Sequence, residues 1–505
     1  MAAPRQGSGI PLTDLLDGLG ACGEVPRIEV TGLSAASGSV QPGDLFLACR
    51  GIHSHGLEHV AEALQRGAGA VVWERDGAES AIVASLPVPS VALPGLGHKL
   101  GIIAARFYGH PSRELHVIGV TGTDGKTSVS HFIAQALSQP QRPCGVLGTL
   151  GYGVWGELHP PTHTTPDALR LQAEMAALRD RGVEQMVMEV SSHALHQHRT
   201  DGVVFDTAVL THLSRDHLDY HGSVEAYAEA KRRLFASPSL AAAVVNVGDA
   251  FGRELAASLK GRLRVIAWQG NDDGEARRYP EWLVLRRVRA LPEGLELDLL
   301  SSQGEASLRT AVLGDFNAGN LLAAVGALLA AGVSMEDALR RLSGIATVAG
   351  RMELVSLPGA PRVVIDYAHT PHALESVLRA LRPHCRGELV CVFGAGGDRD
   401  RGKRPLMGAV AERLAERVIL TSDNPRSEDP GEILRQIAAG FEQPARALII
   451  EDRARAIDSA LAGAAPDDLV LIAGKGDEAW QEVAGRKLPF SDREQARRVL
   501  RRLVA

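Results

Sequence analysis

A glycine-containing turn between a predicted strand and a predicted helix carries the strongest chemical signal in the sequence. The apolar run at residues 117–120 is typical of a buried strand, and Thr-Gly-Thr-Asp-Gly-Lys-Thr follows at residues 121–127. Apolar residues then recur at helical spacing over residues 129–137. Backbone N–H groups of such a turn can surround phosphate oxygens, while lysine reaches the terminal phosphates and threonine ligates Mg²⁺. The general pattern requires glycine where Val120 stands, so this phosphate-loop prediction depends on its strand and helix context.

Carboxylate and imidazole groups follow two further predicted strands in the same part of the chain. Glu189 lies at the end of the run at residues 186–190, and Asp-His-Leu-Asp-Tyr-His at residues 216–221 follows the run at 208–210. Such groups beside a phosphate loop suit divalent cations that bridge phosphates and a second substrate. Zinc is less favoured, because no thiolate accompanies these residues and the nearby histidines lack an HExxH frame. Among the histidines, we expect only His217 to be a ligand.

Lys231 lies in a helical stretch at residues 226–235. Periodicity alone predicts a basic residue on the helix surface there.

In the C-terminal part of the chain, polar clusters follow four of five apolar runs. The runs are at residues 363–365, 389–393, 418–420, 447–450 and 469–473, and the clusters at 366–369, 394–404, 423–426 and 474–478. The intervals between the runs can hold crossover helices, which predicts a parallel sheet. Ligands of open α/β sheets bind at the carboxyl ends of the strands, so the clusters predict one shared site.

The elements that position these groups must belong to several domains. At roughly 150 residues per domain, a chain of 505 residues predicts about three. We place a small N-terminal α/β domain at residues 1–110, a central P-loop ATPase-type parallel sheet at 111–349 and a C-terminal Rossmann-like sheet at 350–505. The predicted class is therefore α/β.

Composition excludes several other classes of protein. The chain is 45% hydrophobic and 23% charged, which excludes collagen-like, disulfide-scaffold and largely disordered proteins. A net charge of −6 provides no global positive field for nucleic acid or an anionic membrane. Five scattered cysteines indicate reduced core residues. We find no export signal, and the longest apolar run, at residues 321–333, is too short to span a bilayer. A cytoplasmic protein is expected.

Ten motifs, in order along essentially the whole chain, resemble those of the ATP-dependent Mur ligases. They are GVTGTDGKTS at 119–128, MEVSSHAL at 188–195, DHLDYHG at 216–222, AKRRLF at 230–235, GDFNAGNLLAA at 314–324, GRME at 350–353, DYAHTP at 366–371, GAGGDRDRGKRP at 394–405, DNPR at 423–426 and GKGDE at 474–478. The resemblance implies that ATP converts the free carboxylate of UDP-N-acetylmuramoyl-L-alanyl-D-glutamate to an acyl phosphate. An amino-acid amine then attacks the acyl phosphate. Phosphate departs, and the product is an amide.

The resemblance also implies roles for individual residues. Those implied to bind ATP are Gly122, Thr123, Asp124, Gly125, Lys126, Thr127, Ser128, Asn320, Arg351, Asp366 and Lys403. Those implied to hold Mg²⁺ are Thr127, Glu189, His217 and, if carbamoylated, Lys231. Lys126, Glu189, His217 and Lys231 are implied to be catalytic. Those implied to face the UDP-sugar-peptide are Ser37, His163, Thr164, Thr165, Ser191 and Arg199. The carbamoylated role of Lys231 replaces the surface role that periodicity alone predicts.

The DNPR motif bears on the choice of amino acid. Family members that add meso-diaminopimelate resemble this chain there, and a guanidinium fork suits the second carboxylate of that substrate. Arg426 is the specificity residue that this implies, with Arg399, Asp423, Asn424, Gly474 and Glu478 as its neighbours. The alternatives are the same reaction with L-lysine, a folylpolyglutamate-type ligase, and a nucleotide-binding paralogue without catalysis. The resemblance also suggests a monomer.

The chain departs from the family pattern at several positions, of which Asp124 and the altered motif at residues 36–38 motivate the alternative without catalysis. Asp124 and His212 both stand where asparagine is usual. The other departures are Ala36 and Gly38 on either side of Ser37, His163, His372 and Asp477.

Overall fold

The computed structural model describes residues 9–51, 54–75, 83, 85–161 and 163–504. The chain divides into two compact units, Met1–Ala267 with Gly326–Gly332, and Trp268–Val325 with Val333–Ala505. Helices and largely parallel sheets alternate in both units, which confirms the predicted α/β class.

The first unit begins with a four-stranded parallel sheet. Its strands, in spatial order, are Gly32–Ser34, Asp44–Ala48, Ala70–Glu74 and Ser90–Leu93. A short pair, Ile10–Pro11 with Glu29–Val30, precedes it. The helices of this part are Leu12–Leu16, Ser37–Ser39, Gly56–His59, Val60–Gln65, Leu96–His98, Leu100–Phe107 and Pro111–Arg113. Leu45, Val72 and Ile103 are fully buried in its core, which gives this small sheet an apolar centre of its own.

The phosphate loop belongs to a second parallel sheet in the same unit. Its parallel strands, in spatial order, are Cys144–Gly148, Gln185–Glu189, His116–Thr121, Thr207–Leu210 and Ala242–Asn246. Arg264–Gln269 is the next strand after Ala242–Asn246, and the antiparallel strands Gly151–Val154 and Glu157–His159 extend the sheet beyond Cys144–Gly148. The helices are Lys126–Leu137, Ala168–Asp180, Ser192–His196, Leu218–His221, Val224–Phe235 and Ala250–Leu259. The strand that precedes the loop is therefore central, as expected for a P-loop sheet.

The second unit contains the predicted Rossmann-like sheet. Its order is Glu353–Val355, Arg362–Asp366, Leu469–Ala473, Leu389–Phe393, Arg417–Leu420 and Ala447–Ile449, with all but the first strand parallel. The helices are Pro371–Leu381, Arg382–His384, Lys403–Leu414, Pro430–Ala438, Pro444–Arg446, Arg453–Ala462 and Asp492–Val504. Apolar clusters on both faces bury the sheet, which explains why its strands are near-continuous hydrophobic runs.

The remaining strands are antiparallel, and the sequence analysis did not predict them. They are the three strands Glu281–Leu291, Gly294–Ser301 and Gly304–Thr310, and the hairpin Trp480–Val483 with Arg486–Pro489. The helices Ala276–Arg278, Asn317–Ala330 and Met335–Ser343 complete the structure. Leu295, Leu297 and Leu299 are buried on one face, an alternation that is the ordinary signal for a half-buried strand.

Two negative findings concern the described residues. None of their helices is both long and apolar enough to cross a membrane. All five cysteines are free thiols: Cys22, Cys49, Cys144, Cys385 and Cys391. Cys144 and Cys391 are buried, and Cys391 lies in a central strand.

Candidate active site

The phosphate loop lies between the strand His116–Thr121 and the helix Lys126–Leu137. Gly125 immediately precedes the helix with φ 82°, and Gly122 has φ 149°. Both values favour glycine, and a Cβ atom at Gly122 would overlap the hydroxyl of Thr211. The first turn of the helix directs backbone N–H groups toward the loop, which makes this a site for phosphate oxygens.

Lys126 lies over the loop that it follows. Its Nζ donates hydrogen bonds to the carbonyl oxygens of Gly122 at 3.0 Å and Thr123 at 2.8 Å. The hydroxyl of Thr123 in turn accepts a hydrogen bond from the N–H of Ser214 at 2.9 Å. The ammonium is thus held at the mouth of the loop, where a phosphate group would meet it.

Glu189 ends the neighbouring strand and faces the same loop. Its carboxylate accepts hydrogen bonds from the hydroxyl of Thr127 at 2.9 Å and from the N–H and hydroxyl of Thr149 at 2.8 and 3.1 Å. Only 1% of the residue is exposed. Burial raises the pKa of this carboxyl, although the Thr149 N–H and the charge of Lys126 act in the opposite direction. Thr127 and Glu189 therefore offer adjoining hydroxyl and carboxylate oxygens.

Lys231 is buried, so the prediction from periodicity that it lies on the helix surface is wrong. It is 1% exposed, its Nζ donates to the Gly122 carbonyl at 2.6 Å, and it lies 4.3 Å from the centre of the Tyr227 ring. Burial, reinforced by the charge of Lys126, lowers the pKa of Lys231 to about 6. Tyr227 and Leu234 are buried on the same face of the helix Val224–Phe235. Their i−4 and i+3 positions relative to the lysine were the signal that the sequence analysis did not use.

His217 is nearly half exposed and has φ 51°. Its Nε2 lies 3.4 Å from a carboxylate oxygen of Asp216, and its ring is 4.9 Å from that of His193. In the part of the chain that the structure describes, no group of three or more His, Cys, Asp or Glu side chains is arranged to hold a metal ion. The ligand set of Thr127, Glu189, His217 and carbamoylated Lys231 thus stays a prediction.

Four residues predicted to face the UDP-sugar-peptide lie around Glu189. The Thr165 hydroxyl donates to the Glu189 carbonyl at 2.8 Å and accepts from the Ser191 N–H at 3.1 Å. Arg199 donates to the Thr165 carbonyl at 3.0 Å, and the hydroxyls of Thr164 and Thr149 are 3.1 Å apart. A polar surface therefore adjoins the phosphate loop.

The other two residues of that predicted group have different surroundings. His163 is exposed. The hydroxyl of Ser37 donates to the carboxylate of Glu62 at 2.6 Å. Their assignment to the substrate stays a prediction.

Two departures from the family pattern face each other in the structure. Nε2 of His212 lies 3.5 Å from a carboxylate oxygen of Asp124. The carbonyl of Asp124 also accepts a hydrogen bond from the Thr211 hydroxyl at 2.7 Å. A protonated imidazole at His212 would offset the carboxylate charge beside the phosphate loop.

In the second unit, the predicted strand-end residues form one connected polar cluster. Nδ2 of Asn424 donates to the Glu478 carboxylate at 2.8 Å. Gly474 has φ 113°, and a Cβ atom there would overlap the carboxylate of Asp423. Lys475, which lies in the predicted cluster at residues 474–478 but had no individual role there, is fully buried and donates to Asn424 at 3.1 Å and Glu478 at 2.9 Å. Its place at a strand end in the GKGDE motif was the available signal.

Arg426 lies beside this cluster. Its Nη1 donates to the Gly397 carbonyl at 2.7 Å, and its Nε is 3.4 Å from a carboxylate oxygen of Glu482. Arg426 also has φ 53°, an uncommon value for a residue with a side chain. Arg399, in the same predicted pocket, is exposed. The guanidinium of Arg426 is therefore fixed by neighbouring groups.

Asp366 and Arg351 lie at another strand end of the same unit. The Asp366 carboxylate accepts hydrogen bonds from the N–H groups of Met352 and Ala368, both at 2.8 Å, and burial raises its pKa. The guanidinium of Arg351 lies 5.0 Å from the centre of the Tyr367 ring. These contacts shape the loop, and the nucleotide role of the two residues stays a prediction.

Lys403 and Asn320 complete the residues predicted to contact ATP. Nζ of Lys403 donates to the His369 carbonyl at 2.8 Å, and burial lowers its pKa. Nδ2 of Asn320 donates to the side-chain oxygen of Asn317 at 2.8 Å.

Comparisons with known proteins assign the chain to a family. Residues 120–328 match the Mur ligase middle domain, residues 350–476 the Mur ligase glutamate ligase domain, and residues 29–108 the catalytic domain of the Mur ligase family. The chain belongs to the Mur ligase family. Among the relatives of this Mur ligase is the UDP-N-acetylmuramoyl-L-alanyl-D-glutamate--2,6-diaminopimelate ligase of Alkalilimnicola ehrlichii. It is 50% identical over 474 residues, which cover 92% of this chain and 93% of the relative.

Solved structures agree with this assignment. The solved structure of a UDP-N-acetylmuramoyl-L-alanyl-D-glutamate--2,6-diaminopimelate ligase matches this chain with a TM-score of 0.75 and 33% identity. The match covers 98% of this chain and 100% of the solved chain. Folylpolyglutamate synthase from Mycobacterium tuberculosis, solved with ADP and AMPPCP, matches with a TM-score of 0.58 and 22% identity, covering 75% and 92%. The similarity to folylpolyglutamate synthase shows a shared fold. The predicted class with three Mur ligase domains is confirmed, and the boundaries at residues 110 and 349 stay predictions.

Proposed function

We propose that this Mur ligase is an ATP-dependent ligase of peptidoglycan biosynthesis that adds meso-2,6-diaminopimelate to UDP-N-acetylmuramoyl-L-alanyl-D-glutamate. The observation that carries the proposal is the guanidinium of Arg426, fixed beside the strand-end cluster of Asp423, Asn424 and Glu478. The relatives named above act on this amino acid, and they match nearly the full chain.

The chemistry of the cluster fits diaminopimelate at its distal end. That end carries a carboxylate and an ammonium, whereas the distal end of L-lysine carries an ammonium alone. The planar fork of Arg426 can bind the carboxylate through two parallel hydrogen bonds. The carboxylates of Asp423 and Glu478 can accept hydrogen bonds from the ammonium. Arg426 therefore favours diaminopimelate over lysine.

The phosphate loop fits ATP. The N–H groups at the start of the helix Lys126–Leu137 and the ammonium of Lys126 would hold its phosphates. The hydroxyl of Thr127, paired with the carboxylate of Glu189 at 2.9 Å, is the donor set that a P-loop offers to Mg²⁺. Mg²⁺ would neutralise phosphate charge there. His217 and carbamoylated Lys231 would complete the ligand set.

The proposed reaction makes a poor electrophile reactive. A carboxylate oxygen of the dipeptide attacks the terminal phosphorus of ATP, ADP leaves, and an acyl phosphate forms. The amine of diaminopimelate then attacks the acyl carbon and loses a proton, and phosphate departs with the electrons of the broken C–O bond. Thr164, Thr165, Ser191 and Arg199 lie where they can orient the dipeptide next to the loop.

We also infer the setting in which the enzyme works. Its proposed substrates are ATP and a nucleotide-linked precursor, which a cytoplasmic enzyme would meet, and its described cysteines are all free. We propose that it acts there as a monomer.

One assay tests the proposed function. Phosphate release from ATP is measured with the UDP-muramoyl dipeptide and either meso-diaminopimelate or L-lysine. We expect release with diaminopimelate and little with lysine. Release with lysine alone contradicts the assigned specificity, and release with neither supports a nucleotide-binding paralogue without catalysis.

A further inference from the structure

The charge on Glu482 is a feature of the second unit that the proposed function does not use. We propose that Glu482 limits the affinity of the amino-acid site for its substrate, because its carboxylate competes with the distal carboxylate of the substrate for the guanidinium of Arg426. The inference rests on the proposed function, in which Arg426 binds that carboxylate.

The contacts of Arg426 show where the competition occurs. Its Nη1 donates to the Gly397 carbonyl at 2.7 Å, and its Nε faces a carboxylate oxygen of Glu482 at 3.4 Å. Nη2 has no hydrogen-bond partner among the described residues. A guanidinium binds a carboxylate in bidentate fashion along an edge with two N–H groups. Glu482 lies beside Nε, on the edge formed by Nε and Nη2, so a ligand carboxylate that binds along this edge must displace it or share the charge with it.

Backbone hydrogen bonds hold Glu482 in this position. The N–H of Arg426 donates to the Glu482 carbonyl at 3.1 Å, and the N–H of Ala484 donates to the Arg426 carbonyl at 2.7 Å. The N–H of Glu482 donates to the side-chain oxygen of Asn424 at 2.9 Å. The first strand of the hairpin, Trp480–Val483, is thus bonded to two residues of the proposed amino-acid site.

A neighbour of Glu482 strengthens the attachment of this strand. Nε2 of Gln481 donates to the Asp423 carbonyl at 2.7 Å. The carboxylate of Glu482 is therefore presented to Arg426 by a backbone that several hydrogen bonds hold in place.

Partial exposure sets the expected size of the effect. The side chains of Arg426 and Glu482 are 24% and 29% exposed, so solvent screens the pair in part. An ion pair of this kind contributes up to about 1 kcal/mol. Removal of the competing charge should therefore lower the KM for diaminopimelate by roughly two- to fivefold.

The test uses the Glu482→Gln variant of the full chain in the phosphate-release assay. We expect the KM for meso-diaminopimelate to fall, with the change confined to this KM and absent from kcat and the KM for ATP. A purely structural role would instead affect all three values. The matched control is Glu305→Gln, which removes the same charge from an exposed ion pair with Arg286 at 3.2 Å in the same unit. The control should leave every value as in the wild type.

A double variant separates competition for Arg426 from other effects. In an Arg426→Ala background, Glu482→Gln should no longer lower the KM for diaminopimelate. If Glu482→Gln does not fold, Glu482→Ala carries the same test, because it also removes the charge. A KM that is unchanged or raised, in an enzyme that is active with diaminopimelate, overturns the inference and leaves the proposed function intact. A wild-type enzyme without diaminopimelate-dependent phosphate release overturns both.

Discussion

Lys231 shows what burial does to a single charged side chain. Its ammonium lies beside the phosphate loop, where Nζ donates to the Gly122 carbonyl at 2.6 Å and lies 4.3 Å from the centre of the Tyr227 ring. Removal from water disfavours the charged form, and so the pKa falls to about 6. The uncharged amine is the form that attacks CO₂. Burial therefore prepares the residue for the carbamoylation that the family resemblance implies.

The lowered pKa of Lys231 gives stability a predicted pH dependence. The folded state releases the proton near its lowered pKa of about 6, whereas an unfolded chain keeps the proton up to the ordinary lysine pKa of 10.5. Between these values the unfolded state binds more protons, so the free energy of unfolding should rise with pH. The slope should approach about 1.4 kcal/mol per pH unit relative to Lys231→Met. Urea unfolding at several pH values in CO₂-free buffer measures it.

The control for this titration is Lys260→Met, which removes an exposed lysine from the same unit. It should leave the pH dependence of the wild type unchanged. Equal pH dependence in the wild type and Lys231→Met would contradict the assigned pKa. A mass measurement tests the carbamoylation itself. Exposure to bicarbonate should add the mass of one CO₂ to the wild type and should add nothing to Lys231→Met.

Arg426 allows a prediction about substrate binding. Arg426→Ala removes the charged donors proposed for the distal carboxylate. Such hydrogen bonds contribute about 1.5–3 kcal/mol, so the KM for diaminopimelate should rise roughly ten- to hundredfold. The KM for ATP should change little. Phosphate-release kinetics with Arg435→Ala, which removes an exposed arginine paired with Glu432 at 2.7 Å, provide the control. An unchanged KM for the amino acid would exclude the assigned role.

For individual residues, the sequence predicts which ones lie at strand ends better than it predicts which side chains face the interior. Glu189, Asn424 and Glu478 follow apolar runs, and the structure places each at a sheet edge with polar partners. Glu482 lies beside the same cluster, but its contact with Arg426 joins residues distant in sequence. No local pattern specifies such contacts, because they arise only when separate strands pair.

The parallel strands of the second unit illustrate how elements bring the cluster together. Five apolar runs predict five strands, and all five are present with parallel pairing. Their carboxyl ends share one edge, so loops far apart in sequence become neighbours. The sequence analysis did not predict the antiparallel strands, although Gly294–Ser301 alternates buried and less buried residues.

A buried ion pair stabilises two of the loops that follow these strands. Arg453 donates through Nε and Nη2 to the two carboxylate oxygens of Asp492, both at 2.7 Å, and both side chains are fully buried. The same guanidinium donates to the carbonyls of Ser422 at 3.3 Å and Ala473 at 3.1 Å. These residues immediately precede Asp423 and Gly474, so the pair fixes the ends of two strands that carry the proposed amino-acid site.

Loss of this pair should destabilise the second unit. Asp492→Asn leaves the Arg453 charge buried without its carboxylate, which costs about 3–5 kcal/mol. Urea unfolding measures the cost. Glu432→Gln, which breaks the exposed pair with Arg435, should cost much less, because solvent screens exposed ion pairs. Equal and small losses in both variants would show that Asp492 is not needed to balance the buried charge.

The whole molecule consists of two compact units, and each has a buried core of its own. The sequence predicted three domains from length and from the rhythm of its apolar runs, and three Mur ligase domains match the chain. Neither signal reports how strongly neighbouring parts of a chain cohere. The division into compact units depends on the area buried between elements, and this area is known only from the three-dimensional structure.

Two separate cores predict more than one unfolding transition, since chains with several compact units commonly depart from two-state behaviour. Val187→Ala and Val392→Ala form a matched pair for calorimetry. Each valine is fully buried in a parallel strand, the first in Gln185–Glu189 of the first unit and the second in Leu389–Phe393 of the second. Each substitution leaves a small cavity and should cost roughly 1–3 kcal/mol. We expect each to lower a different transition by several degrees. A single transition, lowered equally by both, would show that the two units unfold together.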